Sequence, residues 1–344
     1  MKTVRLGKTN LMVAELGFGG IPIIPLSVEE GAAVVRHCFD LGITFFDTAN
    51  IYGDSEKKIG LALGDVREKI ILATKSLRRD AESIAVHIRS SLDNLRTDRL
   101  DIYQLHNVSN DDTMRQIFAP GGAHEAAERA KGEGKIRFIG FSSHNVDIAI
   151  KMCRTARFAT VQIPFNFIET EAAEELFQVA REFDMGIIAM KPLGGGLLQR
   201  VDLCFKFLQQ YPEVLPIAGV ASKEEMDEIA ALYRTPRPLS EADQGDMEKI
   251  RSELGKRFCH RCGYCLPCEQ GVRIPEVMSF RSILKRMHHE RAVNFSKDAI
   301  SSVEVCNECG ECIERCPYEL PIPEMLRENL ALFQEALRRR EQSA

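Results

Sequence analysis

Two short runs of cysteine carry the most specific chemical signal in the chain. CHRCGYCLPC sets Cys259, Cys262, Cys265 and Cys268, and CNECGECIERCP sets Cys306, Cys309, Cys312 and Cys316 ahead of Pro317. The second run has the C-x2-C-x2-C-x3-C-P spacing at which thiolates wrap a [4Fe–4S] cube, three on one cube and the fourth on a second where two are present. The first run is one residue shorter before its last cysteine, and Pro267 precedes that cysteine instead of following it. Zinc is the competing metal, but closed zinc sites draw on two separated C-x2-C pairs, not two unbroken runs of four. Iron–sulfur is the expected chemistry, with two cubes favoured over one cube and spare thiols. Gathering eight of eleven cysteines at one end of 344 residues speaks against a secreted disulfide framework and for a reducing compartment. Cys38, Cys153 and Cys204 lie in apolar helical contexts and are expected as small buried hydrophobes.

A second set of reactive side chains lies far upstream. Asp47, Lys75 and His106 end the apolar runs ITFFDTA, IILATK and LDIYQLH, and Tyr52 follows Asp47 in DTANIYG. Reducing a carbonyl with hydride makes an alkoxide that must be protonated, and a phenol with a pKa near ~10 is a poor acid for that. An ammonium beside Tyr52 lowers that barrier, and Lys75 supplies one. Asp47 would keep Lys75 charged and aimed, while His106 donates to the substrate oxygen where charge develops.

Eight short runs must position these residues: 15–20, 43–49, 70–75, 100–106, 136–143, 160–165, 186–191 and 215–219. Each is nearly continuous in Ile, Val, Leu or Phe, as strands covered on both faces are. Amphipathic stretches separate them. In SVEEGAAVVRHCFDLG, Ser27 and Glu30 form a capping box, Val34, Val35, Cys38 and Phe39 make the stripe, and Gly42 stops the helix. AESIAVHIRSSLDNLRTD and TEAAEELFQVAREFDMG repeat the design. The spacing of successive strand ends matches one βαβ unit, so the reading is an α/β fold, a (β/α)8 TIM barrel with its chemistry at the carboxyl ends of the strands. A short hairpin in VRLGKTNLMVAELG, residues 4–17, is expected to close the barrel floor.

RTPRPLS, 234–240, breaks the pattern. The expected organisation is a barrel over 1–236, a linker and connecting helix over 237–257, a mostly helical iron–sulfur domain over 258–322, and a C-terminal helix over 323–344. PEVMSFRSILKRMHHE reads as one helix between the cysteine runs, opened by Pro275. The last helix shows Leu326, Leu330, Phe333 and Leu337 on one face, expected to pack back on the protein. A net charge of −5 without long runs of one sign disfavours nucleic acid and anionic membrane. No apolar stretch is long enough for a membrane span and the N-terminus lacks an apolar leader, so cytoplasm is the expected compartment.

FFDTANIYG, ATK and QLH resemble the Asp, Tyr, Lys and His tetrad of the aldo-keto reductase superfamily. The resemblance extends through GFSSHN, VQIPFN, KPLGG and AGVASKEEMDEI, covering 1–232. It implies a nicotinamide dinucleotide, NAD(P)H, and a small carbonyl or alcohol substrate. By the same resemblance Ser142, Ser143 and Gln162 would hold the carboxamide, Leu193 and Gly194 would approach the pyrophosphate, and Gly20, Met190, Lys191, Gly219 and Ser222 would complete the cofactor site. Met190 stands where an aromatic ring usually stacks on nicotinamide. Glu224 and Glu225 stand where basic residues usually grip a 2′-phosphate, which favours NADH over NADPH and leaves room for a flavin. No Rossmann G-x-G-x-x-G follows a strand, and none is expected in this superfamily.

The whole chain resembles a subgroup of these proteins that carries a C-terminal ferredoxin-like [4Fe–4S] domain. Analogy with two-cluster ferredoxins gives one cube Cys259, Cys262, Cys265 and Cys316, and the other Cys268, Cys306, Cys309 and Cys312. Hydride moves two electrons while each cube passes one, so a flavin or a ferredoxin or flavoprotein partner is expected as converter. The alternatives are a barrel scaffold whose clusters form a structural or redox-sensing interaction module, and a flavin-dependent electron-transfer protein.

Overall fold

Each of the eight apolar runs becomes a strand of one closed parallel barrel. The computed structural model describes residues 1–287 and 289–343. An antiparallel hairpin, β1 (Thr3–Arg5) and β2 (Met12–Ala14), comes first. The barrel follows as β3 (Gly17–Gly19), β4 (Phe45–Asp47), β5 (Ile71–Ser76), β6 (Leu100–Leu105), β7 (Ile136–Ser142), β8 (Thr160–Pro164), β9 (Gly186–Met190) and β10 (Val214–Ala218). Neighbours in the chain are neighbours in the barrel, and β10 closes on β3.

The covering helices are α1 (Val28–Asp40), α2 (Ser55–Leu63), α3 (Ala81–Leu95), α4 (Asp111–Phe118), α5 (Ala123–Gly132), α6 (Val146–Arg154), α7 (Leu176–Glu182), α8 (Val201–Leu208) and α9 (Lys223–Arg234). Ser27 and Glu30 cap α1 reciprocally, and Gly42 leaves it with φ of 96°. Cys38, Cys153 and Cys204 are buried, and burial raises all three thiols. They are core, not ligands. TEAAEELFQVAREFDMG departs from a single helix: a 3-10 turn spans Glu171–Ala173 and α7 begins only at Leu176. The Asn166 side chain takes the amides of Ile168 and Glu169 at 2.9 and 3.0 Å, holding the chain in a loop there.

Strand periodicity sorts the barrel interior into levels. Leu6, Leu11 and Val13 of the hairpin region pack with Phe45, Ala73, Ile102, Ile188, Leu215 and Ile217 as an apolar floor. Two residues on, the same strand faces present Asp47, Lys75, Gln104 and Met190. Chemistry therefore sits one level above a dry plug, toward the carboxyl ends.

The chain divides after Ser240, and the helix expected as a connector, α10 (Glu241–Leu254), belongs with the second unit. That unit continues with α11 (Ile274–Met278), α12 (Phe280–Arg286), α13 (His289–Ser301), α14 (Glu311–Glu314) and α15 (Ile322–Ser343). The single helix expected from PEVMSFRSILKRMHHE is two. It breaks at Ser279, whose Oγ donates to the Pro275 carbonyl at 2.8 Å, and its His288 lies outside the described residues. Leu326 and Phe333 of α15 are buried with Val277, Phe280, Val293 and Ile300 in a small core, and Leu330 and Leu337 pack at its edge. Among the described residues no helix is long and apolar enough to cross a membrane.

Candidate active site and cysteine cavities

Asp47 closes β4, Lys75 lies in β5 directly across the register from Gln104, and His106 follows β6. Lys75 Nζ is ion-paired with Asp47 Oδ2 and donates to the Thr48 carbonyl at 2.7 Å. Gln104 Nε2 donates to Asp47 Oδ1 at 3.0 Å, and Gln162 Nε2 reaches Oδ2 at 3.5 Å. Lys75 is 1% exposed and Asp47 2%. Burial pulls the ammonium down and pushes the carboxyl up, and each charge opposes the shift of the other. All three side chains bonded to Asp47 are donors, so the arrangement holds the ionic pair.

Tyr52 is brought to this pair by a turn in which its amide donates to Ala49 at 2.9 Å and its carbonyl accepts from Ser55 at 3.1 Å. Lys75 Nζ lies 5.2 Å from the Tyr52 ring centroid. The His106 ring meets Tyr52 edge-on, centroids 5.9 Å apart at 83°. His106 titrates well below the ordinary imidazole range, through burial first and then the charges of Lys75, Arg79 and Lys191. It is a neutral ring whose Nδ1 is buried without a hydrogen-bond partner. Four groups that the sequence scatters over sixty residues share one locus.

Three residues of this locus escaped the sequence reading. Gln104 buttresses Asp47; its signal was there, a lone amide in an apolar strand two positions before His106 on the same face. Arg79 Nη2 donates to the carbonyls of His106 at 2.6 Å and Asn107 at 3.1 Å, and burial lowers it to about 10. Lys58 is 0% exposed and donates to the carbonyls of Ile23, Ile24 and Leu26 at 2.8, 3.2 and 2.7 Å and to Asp54 at 2.7 Å. It ties the loop after β3 to the turn carrying Tyr52. A lysine in an amphipathic helix normally reads as solvated, so nothing in its neighbours betrayed this one.

The expected cofactor residues also gather at carboxyl strand ends. Ser142 closes β7 opposite Gln162 of β8, but its Oγ accepts from the Asn107 amide at 2.9 Å, and Ser143 Oγ is engaged with Asn145. Gln162 Oε1, in contrast, is a buried acceptor with no hydrogen-bond partner. Met190 ends β9. Lys191 follows with φ of 59°, its Nζ 3.1 Å from a His144 ring nitrogen, and Leu193 opens the turn in which Gly194, Gly195 and Gly196 all have positive φ. A Cβ on Gly20 would stand 2.5 Å from Ser55 Oγ, and one on Gly219 3.0 Å from the Pro22 ring, so both glycines permit close approach. Ser222 caps α9 by accepting from the Glu225 amide at 3.2 Å.

In the second unit the eight cysteines sort around two cavities. One, about 320 Å³ to its open mouth, is lined by Cys259, Cys262, Cys265 and Cys316 with His260, Tyr264 and Tyr318. The other, about 400 Å³, is lined by Cys268, Cys306, Cys309 and Cys312, with Cys265 at its edge and Glu308, Glu311 and Arg315 on its rim. Burial first raises Cys262, Cys265, Cys306 and Cys312, and neighbouring thiols add to it in the same two groups: Cys259 and Cys316 act on Cys262 and Cys265, while Cys268 and Cys309 act on Cys306 and Cys312. Among the described residues no three His, Cys, Asp or Glu side chains are set to hold a single metal ion.

With this geometry in hand, the kinship is plain: the chain belongs to the aldo/keto reductase family, whose model matches residues 15–203. A 4Fe-4S dicluster domain matches residues 258–321, so an oxidoreductase barrel and an iron–sulfur domain share one polypeptide. The chain is 32% identical over 212 residues to the L-galactose dehydrogenase of Arabidopsis thaliana, covering 56% of itself and 66% of that protein. It spans 60% of the length of a Glycine max relative named as an aldo-keto reductase, at 30% identity over 57% of its own length. In structure it resembles a Klebsiella pneumoniae aldo-keto reductase solved with NADPH, at a TM-score of 0.62 and 23% identity over 72% of this chain and 94% of that one. That likeness concerns the fold.

Proposed function

We propose that the barrel interconverts a small carbonyl compound and its alcohol with a bound nicotinamide cofactor, and that the second unit holds two [4Fe–4S] cubes. The observation that carries the barrel reading is the Lys75 ammonium, paired with Asp47 and 5.2 Å from the Tyr52 ring. That charge favours the phenolate over the phenol, so the Tyr52 hydroxyl can release a proton to an alkoxide and recover it in the reverse direction. His106, neutral, donates one N–H to the substrate oxygen and orients it. Arg79 fixes the His106 backbone and Gln104 fixes Asp47, so neither reorganises as charge develops.

The cofactor would supply and accept hydride. The orphaned Gln162 Oε1 suits the amide N–H of a carboxamide, a donor that would satisfy an acceptor otherwise costly to bury. By the family resemblance a pyrophosphate would lie against the turn after β9, where Gly194, Gly195 and Gly196 carry no Cβ to bar close approach. Glu224 and Glu225 open α9 and disfavour a 2′-phosphate, which supports NADH as the preferred form. The cubes would be ligated by the two cysteine quartets that line the two cavities.

Tyr52→Phe tests the barrel reading. Reduction of a carbonyl panel by NADH should fall by about 10²- to 10⁴-fold, the weight of a positioned proton donor, with iron–sulfur absorbance unchanged. Undiminished turnover would remove Tyr52 from the proton-donor role.

A further inference from the structure

The two cysteine cavities differ in what surrounds them. The cavity of Cys259, Cys262, Cys265 and Cys316 is lined by His260, Arg261, Tyr264 and Tyr318 and by no carboxylate, and Cys316 is buried. The cavity of Cys268, Cys306, Cys309 and Cys312 has Glu269, Glu308 and Glu311 in its wall, and Cys309 is exposed. Residues 304–319 hold five glutamates against one arginine. Arg315 pairs with Glu311 and Arg327 with Glu308, which moderates this charge without reversing it. A cube held by four thiolates adds negative charge of its own.

Exposed apolar side chains lie close in sequence to the same cysteines. Among the described residues of the second unit the exposed large hydrophobics are Leu266, Phe295, Val305 and Ile313. Three of these four stand one or two positions from a cysteine of the second cavity: Leu266 between Cys265 and Cys268, Val305 before Cys306, Ile313 after Cys312. Exposed apolar residues interspersed with carboxylates near one set of cysteines have the composition of a protein-docking patch.

Resting on the two-cube reading above, we propose that the Cys268, Cys306, Cys309 and Cys312 cavity is the electron port of the protein. Its acidic, apolar-studded rim docks a one-electron redox protein whose own face is rich in lysine or arginine. The opposite sign of charge argues for this occupant over an acidic carrier, since complementary charge steers encounter and like charge suppresses it. The step moves one electron between the cube and the partner's redox centre, one oxidised as the other is reduced, with no atom transferred.

Equine cytochrome c, a basic one-electron acceptor, serves as probe, and ferricyanide, an anion, as its counterpart. Holoprotein is assembled with iron and sulfide, reduced with dithionite, desalted anaerobically and mixed with each oxidant. The rate constant for cytochrome c should fall at least about tenfold from low to high salt, while that for ferricyanide rises or stays level. Glu308→Gln with Glu311→Gln should slow cytochrome c several-fold at low salt with the cube's EPR signal unchanged. The same pair should weaken binding of zinc-substituted cytochrome c, which takes no electron, and Val305→Ser with Ile313→Ser should weaken it without altering its salt dependence. Equal salt responses of the two oxidants, or carboxylate variants that bind and react as the parent does, would overturn the port. Protein that holds iron and sulfide yet shows no reducible cube by EPR would instead overturn the electron-transfer role on which the port depends.

Discussion

The barrel site and the cysteine unit solve the problem of placing reactive groups in opposite ways. In the barrel, Gln104 and Thr48 bond to the Asp47–Lys75 pair, so that pair is held by protein atoms alone. In the second unit, the thiols face cavities and stand against a small core to which Cys316 itself belongs. The difference teaches where the stabilising energy lies. Strand pairing and an apolar floor hold the barrel site, while in the second unit the proposed cubes would tie the two cysteine runs together.

The sharpest way to break this comparison is to strip the iron. Anaerobic chelation should abolish the cooperative unfolding transition of the second unit and leave that of the barrel in place, because a metal bound only by the folded form contributes its binding energy to folding. Two retained transitions in calorimetry would show that the helices around Phe280 and Phe333 suffice alone.

Asp47→Ala probes the barrel in turn. It leaves a buried ammonium without its partner and should cost about 3–5 kcal/mol, read by urea unfolding. A loss within about 0.5 kcal/mol would mean that Lys75 is neutral when folded. Lys58→Met strands three loop carbonyls and is expected to cost about 3 kcal/mol. Its distinguishing mark would be a raised KM, because the loop after β3 is freed from the turn that holds Tyr52.

The gentlest test concerns His106. Its folded pKa is depressed, so between that value and ~6.5 the unfolded chain binds a proton that the folded chain refuses. Stability should therefore be intact above ~6.5 and decline as pH falls below it. His106→Gln should flatten that decline, and the rate of carbonyl reduction should show no His106 inflection near ~6.5. An inflection there that disappears in His106→Gln would contradict a neutral, buried ring.

What was legible in the sequence follows physical lines. Strands buried on both faces write themselves as unbroken apolar runs, and all eight could be read. The Ser27–Glu30 box and the thiol spacing are equally local, since each motif fixes its own geometry. The break at Ser279 was hidden, because a side-chain bond to the backbone overrides helical periodicity there, and nothing in the periodicity marks the late start of α7 at Leu176. Lys58 and Arg79 were hidden for another reason. Their roles depend on carbonyls of loops whose course only the assembled barrel determines. Ser142 and Ser143 were named by resemblance alone, since their hydrogen bonds to the backbone of Asn107 and Asn145 depend on loops that only the assembled barrel sets.

The exchange of terminal cysteines between the two cavities carries one last implication. Cys268 leaves its own run to join the later three, and Cys316 returns to the earlier three. A ribosome must therefore reach Cys312 before either quartet has all its members, and Cys316 before both do. Loading of the proposed cubes would thus be a late event in the life of the chain, and any nonsense mutation between the runs would forfeit both quartets at once.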